Sequence, residues 1–359
     1  MKKKKILFYY SIFLNGGIER VFVNILNNLD LKKYEVVLLN TNNRSTFHLK
    51  DEIRRINLDK KRARDGVFES MMVMKRENPD VIIAGGCINN LTILLAKKIF
   101  RMKAKIIFSL HAIDRTMVRK KIIKWFYPMA DKVVGINRGS IDLTMKISEV
   151  NLIEGKIKII NNPVVDENMI KMSKEEVSHK WLDGNHKVFT TIGRLSWEKT
   201  QDVMIRALNE IKDKSVKLLI IGEGPEEEKH RELVKNLKLE DRVDFIGHQI
   251  NPFKYISRCD GFLLSSKTEG FGMVLVEAMA CEIPVISTRS MAKPEDVILD
   301  GKTGLLCDVG DYKEMARLMK LLLEDNDLKA KLIKGSQDTV EKFSVKESVK
   351  KYEELFEKL

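Results

Sequence analysis

Proline is scarce, seven in 359 residues, and glycine stands at twenty. That is too little of either for a linker-like, collagenous or disordered chain. Cysteine is equally thin, with Cys87, Cys259, Cys281 and Cys307 and no CxxC pair among them. The spacing gives no sign of a thiolate zinc site or of a disulfide framework. Each cysteine lies in or beside an apolar segment, so reduced, buried thiols in a cytosolic protein are expected. No apolar run reaches the roughly 20 residues that cross a bilayer. The opening stretch, MKKKKILFYYSIFLNGG, imitates a secretion signal, but its run is short, lacks a small-residue cleavage site and enters Asn15-Gly16-Gly17. A buried first strand meeting a glycine turn is the better reading, for a soluble or peripheral protein. Clusters of His, Asp and Glu at metal-ligand spacing are missing as well. The only Asp-x-Asp, Asp325-Asn326-Asp327, reads as a helix cap, so chemistry without a metal or bound cofactor is expected.

What the chain does have is an uneven charge. The net is +13, yet residues 1–163 hold 32 Lys and Arg against 15 Asp and Glu, and the remainder 32 against 36. The first half should therefore attract an anionic partner: nucleic acid, anionic lipid or a phosphorylated substrate. Nucleic acid is disfavoured, because no DNA- or RNA-binding signature occurs and the aromatics sit mainly in apolar runs.

Short apolar runs alternate with helical patterns throughout. Strands are expected near 5–13, 34–41, 80–84, 105–110, 131–136 and 157–160, with helices near 17–29, 66–77, 88–100, 115–127 and 138–148 between them. The pattern pauses at Asn161-Asn162-Pro163 and restarts, with strands near 187–193, 216–221, 242–246, 259–264, 284–287 and 304–307. Uniformly apolar strands spaced by helices mean parallel sheets covered on both faces. Two such series give an α/β protein of two doubly wound domains, 1–163 and 164–343, with a cleft between them. An amphipathic last helix, 344–359, carries Val345, Val349, Tyr352 and Leu355 on one stripe.

The stretch EGFGMVLVEAMACEIPVIST places Glu269 and Glu277 on either side of a Gly270-Phe271-Gly272 turn and an apolar run. The preceding strand delivers the turn to a carboxyl edge of the sheet, and the glycines let backbone come close to a ligand. The helix that follows offers unpaired amides and positive dipole to a phosphate. Glu277 stands about five residues in, roughly 7.5 Å along the axis. Carboxylates cannot pair with phosphate but accept two hydrogen bonds from a diol, so diol, phosphates and diol in a row would suit a nucleotide sugar. A solvated helix acid is the plainer alternative. Gly193-Arg194-Leu195-Ser196-Trp197-Glu198-Lys199 follows another strand, and Arg194 with Lys199 can converge on a diphosphate or remain two solvated cations. Gly16 and Gly17 permit a tight, amide-rich turn after the first strand. His111 ends the strand IIFSLH, where a lone histidine is more often structural than catalytic.

GGIER, GRLSWEK, IIGEGPE, FIGH and EGFG, with Glu277 separated from Glu269 by seven residues, in this order from Lys5 to about Phe343, resemble the retaining family 4 glycosyltransferases of the GT-B fold. The resemblance extends to bacterial cell-surface polysaccharide and lipid-linked oligosaccharide transferases. It implies a hexosyltransferase using a nucleotide sugar, with UDP the commoner base, and no metal. It implies that Glu269 contacts the donor sugar and Glu277 the ribose, that Arg194 and Lys199 bind the diphosphate, and that the amides of Gly270, Phe271 and Gly272 approach phosphates and sugar. Gly17, with Gly16, is implied to approach the β-phosphate, and His111 to lie beside the reacting sugar. The last helix is implied to return to the first domain. Two departures stand out: Lys199-Thr200 where the family often has Lys-Gly, and Arg289-Ser290-Met291-Ala292-Lys293 where many members carry a Gly-rich turn. The first is expected to be minor; the second bears on which donor is used.

The acceptor of such enzymes is expected on the first domain, which here carries the excess charge. Residues 97–124 contain ten Lys and Arg and one acid, Asp114. RTMVRKKIIKWFYPMA puts Val118, Ile122, Trp125 and Phe126 on one helical stripe, with Arg115, Arg119 and Lys120 off it and Lys124 beside Trp125. A basic helix with aromatics suits an anionic membrane surface, each cation contributing about 1 kcal/mol there. The apolar stripe alone suits core packing equally well. The expected acceptor is a glycan or a polyprenyl-pyrophosphate-linked saccharide, reached from the inner face of the cytoplasmic membrane. A second basic run, Lys60-Lys61-Arg62-Ala63-Arg64, fits the same purpose. Other enzymes of this fold, a sugar phosphorylase or a sugar-nucleotide epimerase, are the alternatives within catalysis.

Overall fold

Ile6, Leu7, Phe8 and Tyr9 are all fully buried, which a strand permits only when helices cover both faces of its sheet. The structure, a computed structural model, describes residues 2–13, 16–110, 117–269, 271–290 and 297–359, the side chains of 117–119 excepted. The chain divides into two units: Met1–Pro163 with Val345–Leu359, and Val164–Ser344.

The first unit runs β1 (Lys4–Tyr9), β2 (Ile12–Phe13), α1 (Gly17–Asn28), β3 (Tyr34–Asn40), β4 (Asn42–Asn43), β5 (Arg54–Asn57), α2 (Val67–Glu77), β6 (Val81–Gly85), α3 (Cys87–Phe100), β7 (Lys105–Leu110), α4 (Met117–Phe126), β8 (Lys132–Gly135), α5 (Arg138–Ser148) and β9 (Ile157–Ile159). Its main sheet has the order β5-β3-β1-β6-β7-β8-β9, every described pairing parallel; β2 and β4 form a separate ribbon. The chain moves outward from β1 through β3 to β5, then jumps back to β6, so the order reverses between β1 and β6. β5 (RRIN) has no counterpart among the expected strands. It is an edge strand with an exposed polar pattern, and the signal for a buried strand is absent because only β3 pairs with it. Arg54 of β5 forms an ion pair with the buried Glu77 that ends α2.

The second unit runs α6 (Glu167–Ser173), β10 (Lys187–Ile192), α7 (Gln201–Asn209), β11 (Val216–Ile221), α8 (Glu227–Asn236), β12 (Val243–Phe245), α9 (Phe253–Ile256), β13 (Gly261–Leu264), α10 (Met273–Ala280), β14 (Val285–Thr288), β15 (Leu305–Cys307), α11 (Tyr312–Glu324) and α12 (Asn326–Lys342). The sheet order is β12-β11-β10-β13-β14-β15, again parallel, and the reversal falls between β10 and β13. Asp325 does cap a helix: its carboxylate accepts the Leu328 amide at 2.8 Å at the start of α12.

α13 (Val345–Glu357) belongs to the first unit. Its stripe of Val345, Val349, Tyr352, Leu355 and Phe356 is buried. The Tyr34 and Phe356 rings meet edge-on at 5.8 Å, the Asp30 amide donates to the Glu353 carboxylate at 2.8 Å, and the Ser348 hydroxyl donates to Asn161 O at 2.9 Å. The chain leaves the first unit and returns to it side by side: the Val164 amide donates to Phe343 O at 2.9 Å.

Candidate active site

Open parallel sheets bind ligands where the strand order reverses, outside the strands' carboxyl ends. In the second unit the loops at that point are 193–200 after β10 and 265–272 after β13, the two stretches that carry Arg194, Lys199 and Glu269. Hydrogen bonds join one loop to the other. The Thr200 hydroxyl donates to Ser265 O at 2.5 Å, the Ser265 hydroxyl lies 2.9 and 2.7 Å from the carbonyls of Lys199 and Thr200, and the Lys267 amide donates to Glu198 O at 2.9 Å. The Lys199 ammonium meets Glu269 Oε1 at 2.5 Å, and the same oxygen accepts the Ser266 hydroxyl at 2.6 Å. This is a short, charge-assisted contact between side chains mostly withdrawn from solvent. Arg194 differs: it is exposed, and among the described residues its guanidinium has no ion-pair partner. Of the two expected phosphate-binding cations, Lys199 is therefore already neutralised and Arg194 is open to an anion.

A third loop supports these two from behind. Gly222 has φ +132°, and a β-carbon there would fall 2.0 Å from Gly193 O; one on Gly224 would fall 2.2 Å from Leu195 O. Both glycines of IIGEGPE are thus required by the close approach of the Arg194 loop. The Leu195 amide donates to Glu223 O at 2.9 Å, the Glu226 amide to Leu195 O at 3.1 Å, and the Gly222 amide to Gly247 O at 2.8 Å. The Glu223 carboxylate accepts the His248 amide at 3.1 Å, which ties in the FIGH turn. Sequence reasoning found these motifs but assigned them no task; their task is to fix the loop after β10.

Thr200 corrects an expectation. It lies at φ +45°, in the left-handed region at the start of α7. Glycine adopts that conformation freely, and a β-branched side chain is strained there. The exchange of glycine for threonine is therefore more than a minor loop change, and the 2.5 Å bond to Ser265 O is what offsets the strain. Thr200→Gly relieves strain and loses that bond, so its stability should stay within about 1 kcal/mol of the parent. Thr200→Val keeps the strain and orphans a buried carbonyl, and should lose about 1–3 kcal/mol in a denaturant titration. Equal stability of the valine variant and the parent would refute this account.

Glu277 sits at the fifth position of α10 and is only 4% exposed. It lies close enough to Cys281, one turn on, that its charge adds to burial in pushing that thiol up to about 12. Gly272, at φ +75°, caps the helix without a side-chain hydrogen bond to its first amides. Phe271 turns its ring inward, 5.0 Å from Phe343, so only its backbone is available to a ligand. Gly270 lies outside the described residues, as does the departure at 291–293; Arg289 holds Asp300 at 2.6 Å.

In the first unit Gly16 caps α1 and Gly17 is its first residue, at the reversal between β1 and β6. The Glu19 carboxylate occupies the space that a β-carbon on Gly16 would enter, 2.5 Å from it, so an acid of the first helical turn lies against this glycine. His111 and Arg115 lie outside the described residues, and so does the side chain of Arg119. On α4, Lys124 pairs with Glu149 at 2.7 Å, Lys120 is half-buried, and Trp125 is 71% exposed. Trp125 thus does not share the inward face of Ile122 and Phe126, which pack on the core. The expected single stripe is split, and its aromatic faces solvent.

Known proteins match both units of the chain. The family profile "Glycosyl transferases group 1" matches residues 173–339, and "Glycosyltransferase Family 4" matches 15–168. The N-acetyl-alpha-D-glucosaminyl L-malate synthase of Bacillus anthracis is 31% identical over 293 residues, 79% of this chain and 76% of the relative. The N-acetylgalactosamine-N,N'-diacetylbacillosaminyl-diphospho-undecaprenol 4-alpha-N-acetylgalactosaminyltransferase of Campylobacter jejuni is 32% identical over 215 residues, 60% of this chain and 56% of the relative. Among solved structures, Anabaena HepE in complex with UDP superposes with a TM-score of 0.83 at 19% identity, covering 99% of this chain and 100% of that one.

Proposed function

The chain belongs to glycosyltransferase family 4 and has its GT-B fold of two Rossmann-like units, and on that premise we propose that it moves a hexose or N-acetylhexosamine from a UDP sugar to a lipid-linked or other glycan acceptor, with retention at the anomeric carbon. The observation that carries this reading is the pairing of the β10 and β13 loops at the sheet's reversal point, with Arg194, Lys199, Glu269 and the start of α10 on one edge. UDP is favoured because a fold neighbour holds it. A lipid-pyrophosphate acceptor is favoured by the Campylobacter relative's name and by the basic first unit. The work would be surface-polysaccharide assembly at the inner face of the cytoplasmic membrane.

In this proposal Arg194 and Lys199 take the diphosphate, the α10 amides with Gly270, Phe271 and Gly272 approach its oxygens, Glu269 holds sugar hydroxyls and Glu277 the ribose. Gly16, Gly17 and His111 serve the β-phosphate and the reacting sugar from the first unit. Retention follows if the acceptor hydroxyl attacks the face that the diphosphate is leaving, the departing β-phosphate oxygen taking its proton. Charge then grows on the phosphate, and preorganised cations and amides stabilise it without a metal. Turnover with a synthetic acceptor is accordingly expected to survive EDTA, and the product to keep the donor's anomeric configuration by NMR. An inverted product would overturn the scheme, and a thermal-shift panel of UDP, GDP and ADP sugars would identify the base.

A further inference from the structure

Of thirteen large apolar side chains exposed among the described residues, seven lie on α2, α3, α4 or the turn after α4, so the exposure is concentrated on one helical layer of the first unit. α2 and α3 are neighbours: the Lys75 ammonium lies 4.9 Å from the centre of the Phe100 ring. The exposed residues of α3 are Ile88, Leu95, Lys98 and Ile99, three of them aliphatic and spaced by seven and four along a single stripe. On α2, Phe68 is 69% and Met72 42% exposed, again four apart. A helix that only bounds a soluble domain keeps this side polar, and a continuous apolar surface with a polar rim marks an interaction site.

Charge chooses the occupant. Lys75 and Arg76 end α2, and Lys98 and Arg101 end α3. The one acid on the exposed side of α2, Glu69, is held by Lys60 at 2.7 Å. A second copy of this chain would bring the same cations against themselves, whereas a bilayer with anionic headgroups offers opposite charge around an apolar interior. We propose that α2 and α3 dock the protein on an anionic phospholipid surface, with Phe68, Met72, Ile88, Leu95 and Ile99 entering the headgroup boundary and the flanking cations against lipid phosphates. The inference deepens the lipid-linked acceptor reading and rests on it for the reason to be at a membrane. It moves the contact from α4, where the sequence suggested it, to the two helices before.

The test is co-sedimentation with vesicles made with and without anionic phospholipid. The parent should bind only the anionic vesicles. Phe68→Ser combined with Ile99→Ser, and separately Lys75→Glu combined with Lys98→Glu, should each weaken binding at least about tenfold. All four positions are exposed, so melting temperature, UDP-sugar thermal shift and transfer to a water-soluble acceptor should be unchanged. Parent-like vesicle binding by the serine variant, equal binding of neutral vesicles, or lipid-free dimerisation lost in the serine variant would each overturn the proposal. Vesicle binding without any nucleotide-sugar response would instead sink the catalytic reading and leave the docking surface standing.

Discussion

Lys199→Ala is expected to lower turnover by about three orders of magnitude, the loss typical of removing one preorganised donor from a developing oxyanion. The complication is that Lys199 already has a partner, Glu269 Oε1 at 2.5 Å, so the same substitution strips a largely buried carboxylate of its cation. A double variant separates the two effects. In Lys199→Ala/Glu269→Ala the uncompensated charge is gone, and any stability lost in the single variant should return. Turnover should not return, because the leaving diphosphate still lacks its ammonium. Recovery of turnover in the double variant would mean that the pair is structural and that the diphosphate is neutralised by other groups. The donor KM adds a second reading: an interaction made mainly in the transition state lowers kcat and kcat/KM together and leaves KM nearly fixed.

Gly222→Ala should be the most damaging single methyl group in the second unit. The new β-carbon would stand 2.0 Å from Gly193 O, which is backbone and cannot rotate away, at a φ of +132° that side chains avoid. Either the loop bearing Arg194 shifts or the turn after β11 does, and a displacement of about 1 Å at a reacting group costs about a hundredfold in rate. We expect a loss of more than about 3 kcal/mol in stability together with that loss of turnover. Gly184→Ala is the control, since it also lies at positive φ, +93°, but meets nothing within 4 Å. Its penalty should be confined to about 1–2 kcal/mol of backbone strain, with turnover intact. Equal effects of the two substitutions would mean that the contact with Gly193 carries no weight.

The parts of the fold that were readable in the sequence are those governed by period and burial. β7, β11 and α5 fall on the residues that the apolar pattern suggests, because a strand covered on both faces leaves little choice of residue. β5 escaped for the opposite reason: as an edge strand it exposes Arg54 and Arg55 and needs no apolar run. In the site, charged residues at strand ends pointed to Arg194, Lys199 and Glu269, since nothing in packing asks for them. The left-handed Thr200 and the clasp of Gly222 and Gly224 on Gly193 and Leu195 were illegible, because both are contacts between segments distant in sequence. The open apolar side of α3 was hidden by its own regularity: Ile88, Leu95 and Ile99 look like core residues until the neighbours are known to leave them uncovered.

Because α13 completes the first unit, the order of synthesis and the order of assembly cannot coincide. The ribosome makes residues 164–344 as one uninterrupted segment, so that half can close on itself while the earlier half still waits for Tyr352, Leu355 and Phe356. Until they arrive, the site for the Phe356 ring beside Tyr34 is left unfilled in the nascent protein. The portion translated first is finished last, and a chaperone holding the emerging chain would find its longest-lived apolar target there.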